Sequence, residues 1–407
     1  MADFYQNGVV TTLHNLANRP TEELEAELLR FSQKRPMALI LPSLYSELEG
    51  EALPNILEHL QQVPYLSEIV IGLDRADKEQ YKSALKFFGK LPQHHRILWN
   101  DGPRLQALDK ELTELGLAPK ELGKGRNVWY CMGYILASNR AESVALHDCD
   151  ILTYNRDLLA RLIYPVANPM FNYEFCKGYY ARVADGKING RVSRLLVTPL
   201  LRALKRTLGD NEYLEFMDSF RYPLAGEFSF RRDVLNDIRI PSDWGLEIGV
   251  LSEMHRNYSH NRLCQADIAE TYDHKHQDLS LHDDQGGLSK MSIDITKALF
   301  RKLATQGVAF SPETFRAVKA TYYRIALDFV ETYHNDAIMN GLNLDIHREE
   351  KAVEMFASNI MKAGQSFLDS PMQTPFIPSW NRVTSAVPDI LDRLLEAVEA
   401  DTSELLE

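Results

Sequence analysis

Between residues 36 and 150 the chain repeats one pattern, a short uninterrupted apolar run followed by a stretch with helical spacing. Met37-Ala38-Leu39-Ile40-Leu41 stops at Pro42, Leu53 to Gln62 has apolar residues at helical intervals, and Glu68-Ile69-Val70-Ile71-Gly72-Leu73 follows. Apolar runs without polar alternation are strands buried on both faces, and strand, helix, strand is the unit of a parallel sheet. Arg96-Ile97-Leu98-Trp99 reads as a third strand and Asn127 to Ser138 as a helix. Ser143-Val144-Ala145-Leu146-His147 is a fourth strand, ending in Asp148-Cys149-Asp150. These residues define a nucleotide-binding α/β half.

The remainder divides by pattern. Residues 1–35 read as a polar, helical appendage, with the acidic start Thr21-Glu22-Glu23 before Leu24, Leu28, Leu29 and Phe31. Residues 151–290 are mixed, with antiparallel strands expected around Phe175 to Ala181 and Glu227 to Arg231, and this half is assigned the second substrate. Residues 291–407 are helical. Ser311-Pro312 is a cap followed by proline at the first helical position, Tyr322, Ile325, Phe329, Val330 and Tyr333 share one face, and Pro388 starts a last helix. The proline-containing stretch Ser370 to Val387 reads as a linker.

Composition narrows the function classes. With 45 basic and 57 acidic side chains the formal charge of the 407 residues is −12, and no basic cluster offsets it, so nucleic acid is not an expected partner. Four scattered cysteines form neither a disulfide framework nor a C-x-x-C pair. No signal-peptide pattern opens the chain and no apolar run is long enough to span a bilayer, so a cytoplasmic protein without a membrane partner is expected.

Asp148-Cys149-Asp150 carries the most chemistry, because two carboxylates at the carboxyl edge of a parallel sheet can hold a hard divalent cation against a diphosphate. A solvated strand end is the alternative. Gly123-Lys124-Gly125-Arg126, just before a helix, offers flexible backbone and cations to a phosphate, or is a basic surface turn. Neither the Walker spacing nor the dinucleotide G-x-G-x-x-G is present.

Taken in order, Pro42-Ser43-Leu44-Tyr45-Ser46-Glu47, Gly123-Lys124-Gly125, Asp148-Cys149-Asp150, Gly190-Arg191-Val192-Ser193, Pro223 to Phe228, Gly245-Leu246-Glu247-Ile248-Gly249 and His274 resemble the glucosyl-3-phosphoglycerate synthases over residues 36 to 290. The resemblance implies a GT-A nucleotide-diphospho-sugar transferase fold, an α/β architecture with a Rossmann-like, mostly parallel sheet and helical N- and C-terminal additions. Pro42, Leu44, Glu47 and Asp74 would then surround the nucleobase. Gly123, Lys124 and Asp148 would meet the donor's diphosphate, sugar or ribose, while Asp150 and His274 would hold Mg²⁺ or Mn²⁺. Gly190, Arg191, Ser193 and His276 would form the acceptor site, and Glu247 would stand beside the reacting sugar, with Lys124 and Asp148 the other catalytic groups. Glu227 is equally well explained as a buried structural carboxylate.

The activity so implied is retaining transfer of glucose from UDP- or GDP-glucose to 3-phosphoglycerate, towards glucosylglycerate as a compatible solute, by a homodimer. Transfer of glucose or mannose to free glycerate is the related alternative, and a nucleotide-sugar sensor is the non-catalytic one. A nucleotidyltransferase is disfavoured, since Pro42 to Glu47 contains neither lysine nor arginine. Tyr45, Tyr272 and His276 depart from the family pattern, the last two replacing an arginine and an asparagine on either side of His274, and they are expected to face the diphosphate and the acceptor. His276 competes with His274 for the metal. Leu279 favours His274 by its spacing, and His274, His276 and His282 are alternatively a solvated loop.

Overall fold

The computed structural model describes residues 6, 8–119, 121–274, 287–371 and 376–406. Strand β1 (Thr11–Leu13) and helix α1 (Thr21–Phe31) lead into β2 (Met37–Leu44), α2 (Ala52–Leu60), β3 (Leu66–Asp74), α3 (Lys78–Phe88), β4 (His95–Trp99), α4 (Pro103–Glu114), α5 (Lys124–Ser138) and β5 (Ser143–Leu146). The middle third holds α6 (Arg156–Ala167), β6 (Phe175–Tyr180), the small hairpin β7 (Val183–Ala184) and β8 (Lys187–Ile188), α7 (Thr198–Leu208), α8 (Glu212–Asp218), β9 (Phe228–Arg231), α9 (Arg232–Asp237), α10 (Leu246–Asn257) and β10 (Leu263–Ala269). The last third is helical, with α11 (Gly287–Thr305), α12 (Pro312–Met339), α13 (Ile346–Asp369), α14 (Trp380–Ala386) and α15 (Ile390–Leu406).

Eight strands form one sheet in the order β1-β10-β6-β9-β5-β2-β3-β4. Only β9 runs against its neighbours, pairing antiparallel with β5 and β6, so the strands expected at Phe175 and Glu227 do meet in that sense. Met37 through Leu41 and Ile69 through Ile71 are fully buried. Their alternate residues feed two cores: Ala38, Ile40 and Val70 face the helices on one side, and Met37, Leu39, Leu41, Ile69 and Ile71 those on the other. Helices on both faces are the reason these strands show no polar alternation.

Three regions differ from the sequence reading. Residues 1–35 include α1 but also β1, which extends the sheet beside β10. Strand β10 escapes a hydropathy search because Gln265 and Asp267 interrupt its apolar run. Gln265 is buried, and its amide donates to Thr12 Oγ1 at 2.9 Å and Ser219 O at 2.8 Å. The stretch Ser370 to Val387 is not a linker where it is described, since Ile377, Trp380 and Val383 are buried and the Trp380 ring stacks on Trp129 with centroids 4.2 Å apart. Beyond it α15 returns to the sheet edge, where Glu399 pairs with Arg96 at 2.8 Å. Tyr322, on the aromatic face of α12, is core and donates to Leu195 O at 2.7 Å. No helix among the described residues is long and apolar enough to cross a membrane.

Candidate active site

The carboxyl ends of β2, β3 and β5 open into one cavity of about 1240 Å³. An open α/β sheet binds its ligands at this edge, because the loops leaving the strands splay apart there. Pro42, Leu44 and Glu47 line it from the end of β2, Asp74 from the end of β3, and Asp148 and Asp150 from beyond β5. Gly123, Lys124, Gly190, Arg191, Glu247 and His274 line the same cavity. Ser193 does not reach the cavity: it is 4% exposed in the wide turn before α7, and its Oγ is buried without a hydrogen-bond partner among the described residues. His276, Leu279 and His282 lie outside the described residues.

Lys124 is the first residue of α5, and its Nζ lies 2.6 Å from Asp148 Oδ1 and 3.2 Å from Glu247 Oε1. Burial disfavours the ammonium, but Asp148 and Glu247 outweigh it and raise the lysine above its ordinary range. Burial also works against the Asp148 carboxylate, and Lys124 overcomes it and holds that carboxyl low. Two glycines permit this approach. A Cβ on Gly226 would stand 2.4 Å from Asp148 Oδ2, and one on Gly125 would stand 2.1 Å from Pro241 O, pushing the start of α5 away.

One ligand atom from each of Asp148, Asp150 and His274 falls within 4.8 Å of the others. His274 is brought there by a short antiparallel bridge to Ile151, reinforced by Leu152 N donating to Asp273 O at 2.9 Å. Asp150 Oδ1 is buried, accepts no hydrogen bond among the described residues and sits 3.7 Å from His274 Nδ1. Burial and then the neighbouring Asp148 push the Asp150 carboxyl up to about 7. A buried carboxylate oxygen without a donor, next to a second carboxylate and an imidazole, is a donor set that fits Mg²⁺ or Mn²⁺.

Asp74, at the end of β3, accepts a 2.7 Å hydrogen bond from Asn100 Nδ2, and burial raises its carboxyl. Arg191, also in the cavity lining, donates from Nε to Glu349 Oε1 at 2.5 Å. Tyr272 corrects one expectation. Its side chain is 1% exposed, stacks on Tyr180 at 3.7 Å and donates to Glu227 Oε1 at 2.6 Å, so it faces the interior and not the cavity. Tyr180 donates to Glu227 Oε2 at 2.6 Å, which makes Glu227 a fully hydrogen-bonded carboxyl held behind the site.

Other cavity residues escaped the sequence reading: Arg182, Tyr222, Trp244, Lys290, Arg348 and Glu349. Arg182 follows the end of β6, and the rule that strand ends line the site would have found it. Arg348 and Glu349 sit on α13, where a charged helical position reads as a solvated face, and nothing local marks them.

The mostly parallel sheet, the acidic strand end and the lysine-bearing helix start are those of a GT-A glycosyltransferase. The chain is 48% identical over 404 residues to a glucosyl-3-phosphoglycerate synthase of Persephonella marina, covering 99% of this chain and 100% of the relative. It is 38% identical over 410 residues to one of Methanococcoides burtonii, covering 100% and 99% respectively. The chain therefore belongs to the glucosyl-3-phosphoglycerate synthase family. No protein-family model matches it. Among solved structures, the Mycobacterium tuberculosis glucosyl-3-phosphoglycerate synthase in complex with Mn²⁺, UDP-glucose and phosphoglyceric acid superposes with a TM-score of 0.54 at 19% identity, over 74% of this chain and 89% of that one. The Rubrobacter xylanophilus mannosyl-3-phosphoglycerate synthase gives 0.54 at 18%, over 74% and 83%. Both likenesses are of fold.

Proposed function

We propose that the chain transfers glucose from a nucleoside-diphosphate-glucose to 3-phosphoglycerate with retention of configuration, yielding glucosyl-3-phosphoglycerate. The observation that carries this reading is the gathering of Lys124, the Asp148–Asp150–His274 set and Arg191 in one cavity, within a chain of this family. The Mycobacterium tuberculosis relative's complex with UDP-glucose and phosphoglyceric acid supports UDP over GDP and the phosphorylated over the free acceptor. Its complexes with Mn²⁺ or Mg²⁺ and UDP support the same cations here.

In this reading Pro42, Leu44, Glu47 and Asp74 bind the nucleoside. Asp150 and His274 are the protein's metal ligands, with Asp148 close enough to join them. A bound Mg²⁺ or Mn²⁺ supplies Lewis-acid neutralisation of the diphosphate. Lys124 meets the charge that builds on the departing phosphate oxygen, the stabilisation that most often dominates enzymic rate enhancement. The bond from the anomeric carbon to that oxygen breaks. The acceptor hydroxyl attacks from the same face, and its proton passes to the leaving phosphate, so no enzyme nucleophile is needed. Glu247 sits beside the reacting sugar. Gly190 and Arg191 hold the acceptor's anionic end, Arg191 through its planar guanidinium. His276 is assigned to the same acceptor site, whereas Ser193, buried away from the cavity, is not.

A cytoplasmic homodimer making the precursor of a compatible solute completes the proposal. The exposed Ile338, Met339 and Ile346 at the tip of α12 and α13 give a second copy an apolar surface, which light scattering of the pure protein tests. The reaction is tested by release of nucleoside diphosphate from UDP-, GDP- and ADP-sugars with Mg²⁺, each with 3-phosphoglycerate, with glycerate and with neither. Release that requires 3-phosphoglycerate is expected. Release indifferent to both acceptors would overturn the acceptor assignment.

A further inference from the structure

Glu349 is a buried residue that the C-terminal helices contribute to the cavity lining. It lies in the first turn of α13, is 1% exposed, and uses both oxygens: Oε1 accepts from Arg191 Nε at 2.5 Å and Oε2 from Arg194 Nη2 at 2.9 Å. Arg194 is itself immobilised, since its Nε donates to Asn189 O at 2.8 Å and its guanidinium lies 4.7 Å over the Tyr333 ring. The turn between α12 and α13 is tied to the β7–β8 hairpin by Asn343 N donating to Gly186 O at 2.7 Å. The carboxylate is therefore fixed relative to the cavity wall before any ligand arrives.

Arg191 differs from Arg194 in exposure. Its side chain is 24% exposed, against 8% for Arg194, and it lines the cavity. Among the described residues its only side-chain hydrogen bond is the one from Nε. A guanidinium carries five N–H donors in a rigid fork, so engaging Nε leaves the outer edge, where one N–H of each terminal nitrogen lies side by side, without a protein partner among the described residues. That edge grips a phosphate or carboxylate with two parallel bonds, which a freely rotating side chain would do only after losing rotamer freedom.

We infer that Glu349 is a positioning residue for acceptor recognition, holding the Arg191 guanidinium so that its terminal N–H pair faces the acceptor's phosphate. The C-terminal helices thereby take part in substrate selection. This inference rests on the reading of Arg191 as an acceptor-binding residue given above.

The test is steady-state kinetics of wild type, E349Q, E349D and R191A, with 3-phosphoglycerate and nucleotide-glucose varied in turn and thermal melts run alongside. Removing the charge (E349Q) or withdrawing it by one methylene (E349D) is expected to raise KM for 3-phosphoglycerate by on the order of tenfold or more, with KM for the donor, acceptor-independent donor hydrolysis and saturating kcat within about threefold. R191A combined with E349D should be no worse in acceptor KM than R191A alone, since both act through one contact. A melt lowered equally with donor and acceptor KM raised together, or an unchanged acceptor KM in a folded variant, overturns the inference. If E349Q does not fold, E349D decides, because it keeps a carboxylate against the two arginines. Wild type that shows no dependence on 3-phosphoglycerate defeats the functional reading itself and the inference with it, whereas a dependent wild type with unaffected variants defeats the inference alone.

Discussion

The ammonium of Lys124 lies 2.6 Å from the carboxylate of Asp148, joining the start of α5 to the end of β5. Glu247, at the start of α10, reaches the same nitrogen at 3.2 Å. One cation thus stands between two carboxylates drawn from elements that adjoin only because the sheet edge brings their ends together. Its charge is secured before any ligand enters, and a preorganised charge does not have to be reoriented when negative charge develops beside it.

Lys124→Ala is expected to lower kcat by on the order of 10²–10³, the usual loss when one preorganised group is removed from a site of developing charge. Binding of Mn²⁺ should not weaken, because the change removes a positive neighbour of Asp148 and Asp150. Asp150→Ala separates the two effects, losing both Mn²⁺ binding and turnover. Turnover and electron paramagnetic resonance titration with Mn²⁺ distinguish these outcomes, and near-wild-type turnover in either variant would refute the arrangement.

Tyr272→Phe should leave catalysis nearly intact while costing stability. Its hydroxyl satisfies Glu227 Oε1, a buried carboxyl raised by burial and by the nearby Asp148. Leaving one buried oxygen without its donor costs about 1–3 kcal/mol. Urea denaturation measures the loss, and kcat/KM should change less than about tenfold because the ring does not line the cavity.

What the sequence showed and what it withheld follow from the same physics. Asp148 and Asp150 were legible because an apolar strand ending in acid announces both an element and its active edge. Lys124 was legible through the glycines around it. Glu349 was not, because a buried acid on an amphipathic helix has the same sequence signature as a solvated one, and only the contacts with Arg191 and Arg194 tell them apart. Tyr272 misled for a different reason: the family resemblance, with an arginine at that position, implies a cavity-facing side chain, while its stacking on Tyr180 turns it inward. Strand β10 was hidden by Gln265, a polar residue whose partners come from Thr12 and Ser219, far away in the chain.

Glu68 sets a pH dependence away from the site. It is fully buried, receives a 2.7 Å hydrogen bond from Ser138 Oγ, and burial pushes its carboxyl up to about 7 from an ordinary 4.5. A folded-state value above the unfolded one means the folded protein binds the proton more tightly. Stability is then present in full below about 4.5 and declines as pH rises to about 7, by up to about 1.4 kcal/mol per unit and on the order of 3 kcal/mol in total. Glu68→Gln removes that decline. Urea melts should find the variant more stable than wild type at pH 8 and without most of that advantage at pH 5. Parallel pH profiles would show that Glu68 is ionised in the folded protein at neutral pH.

Trp380 decides whether the segment before α14 is a tether or part of the core. Its indole Nε1 donates to Trp129 O at 3.0 Å, while Trp129 Nε1 donates to Pro378 O at 2.9 Å, so the two rings stack and exchange hydrogen bonds with each other's chain segments. The fit leaves no slack, since a Cβ on Gly133 would lie 2.1 Å from Trp380 Cζ2. Truncating a buried tryptophan costs about 3–5 kcal/mol, whereas a side chain on a free tether contributes within about 0.5 kcal/mol. Trp380→Ala should therefore shift the urea midpoint strongly. Trp129 lies on α5, the helix that begins with Lys124, so the loss should also loosen the catalytic lysine's support and lower kcat more than KM. A variant with wild-type stability would return the segment to the status of a linker.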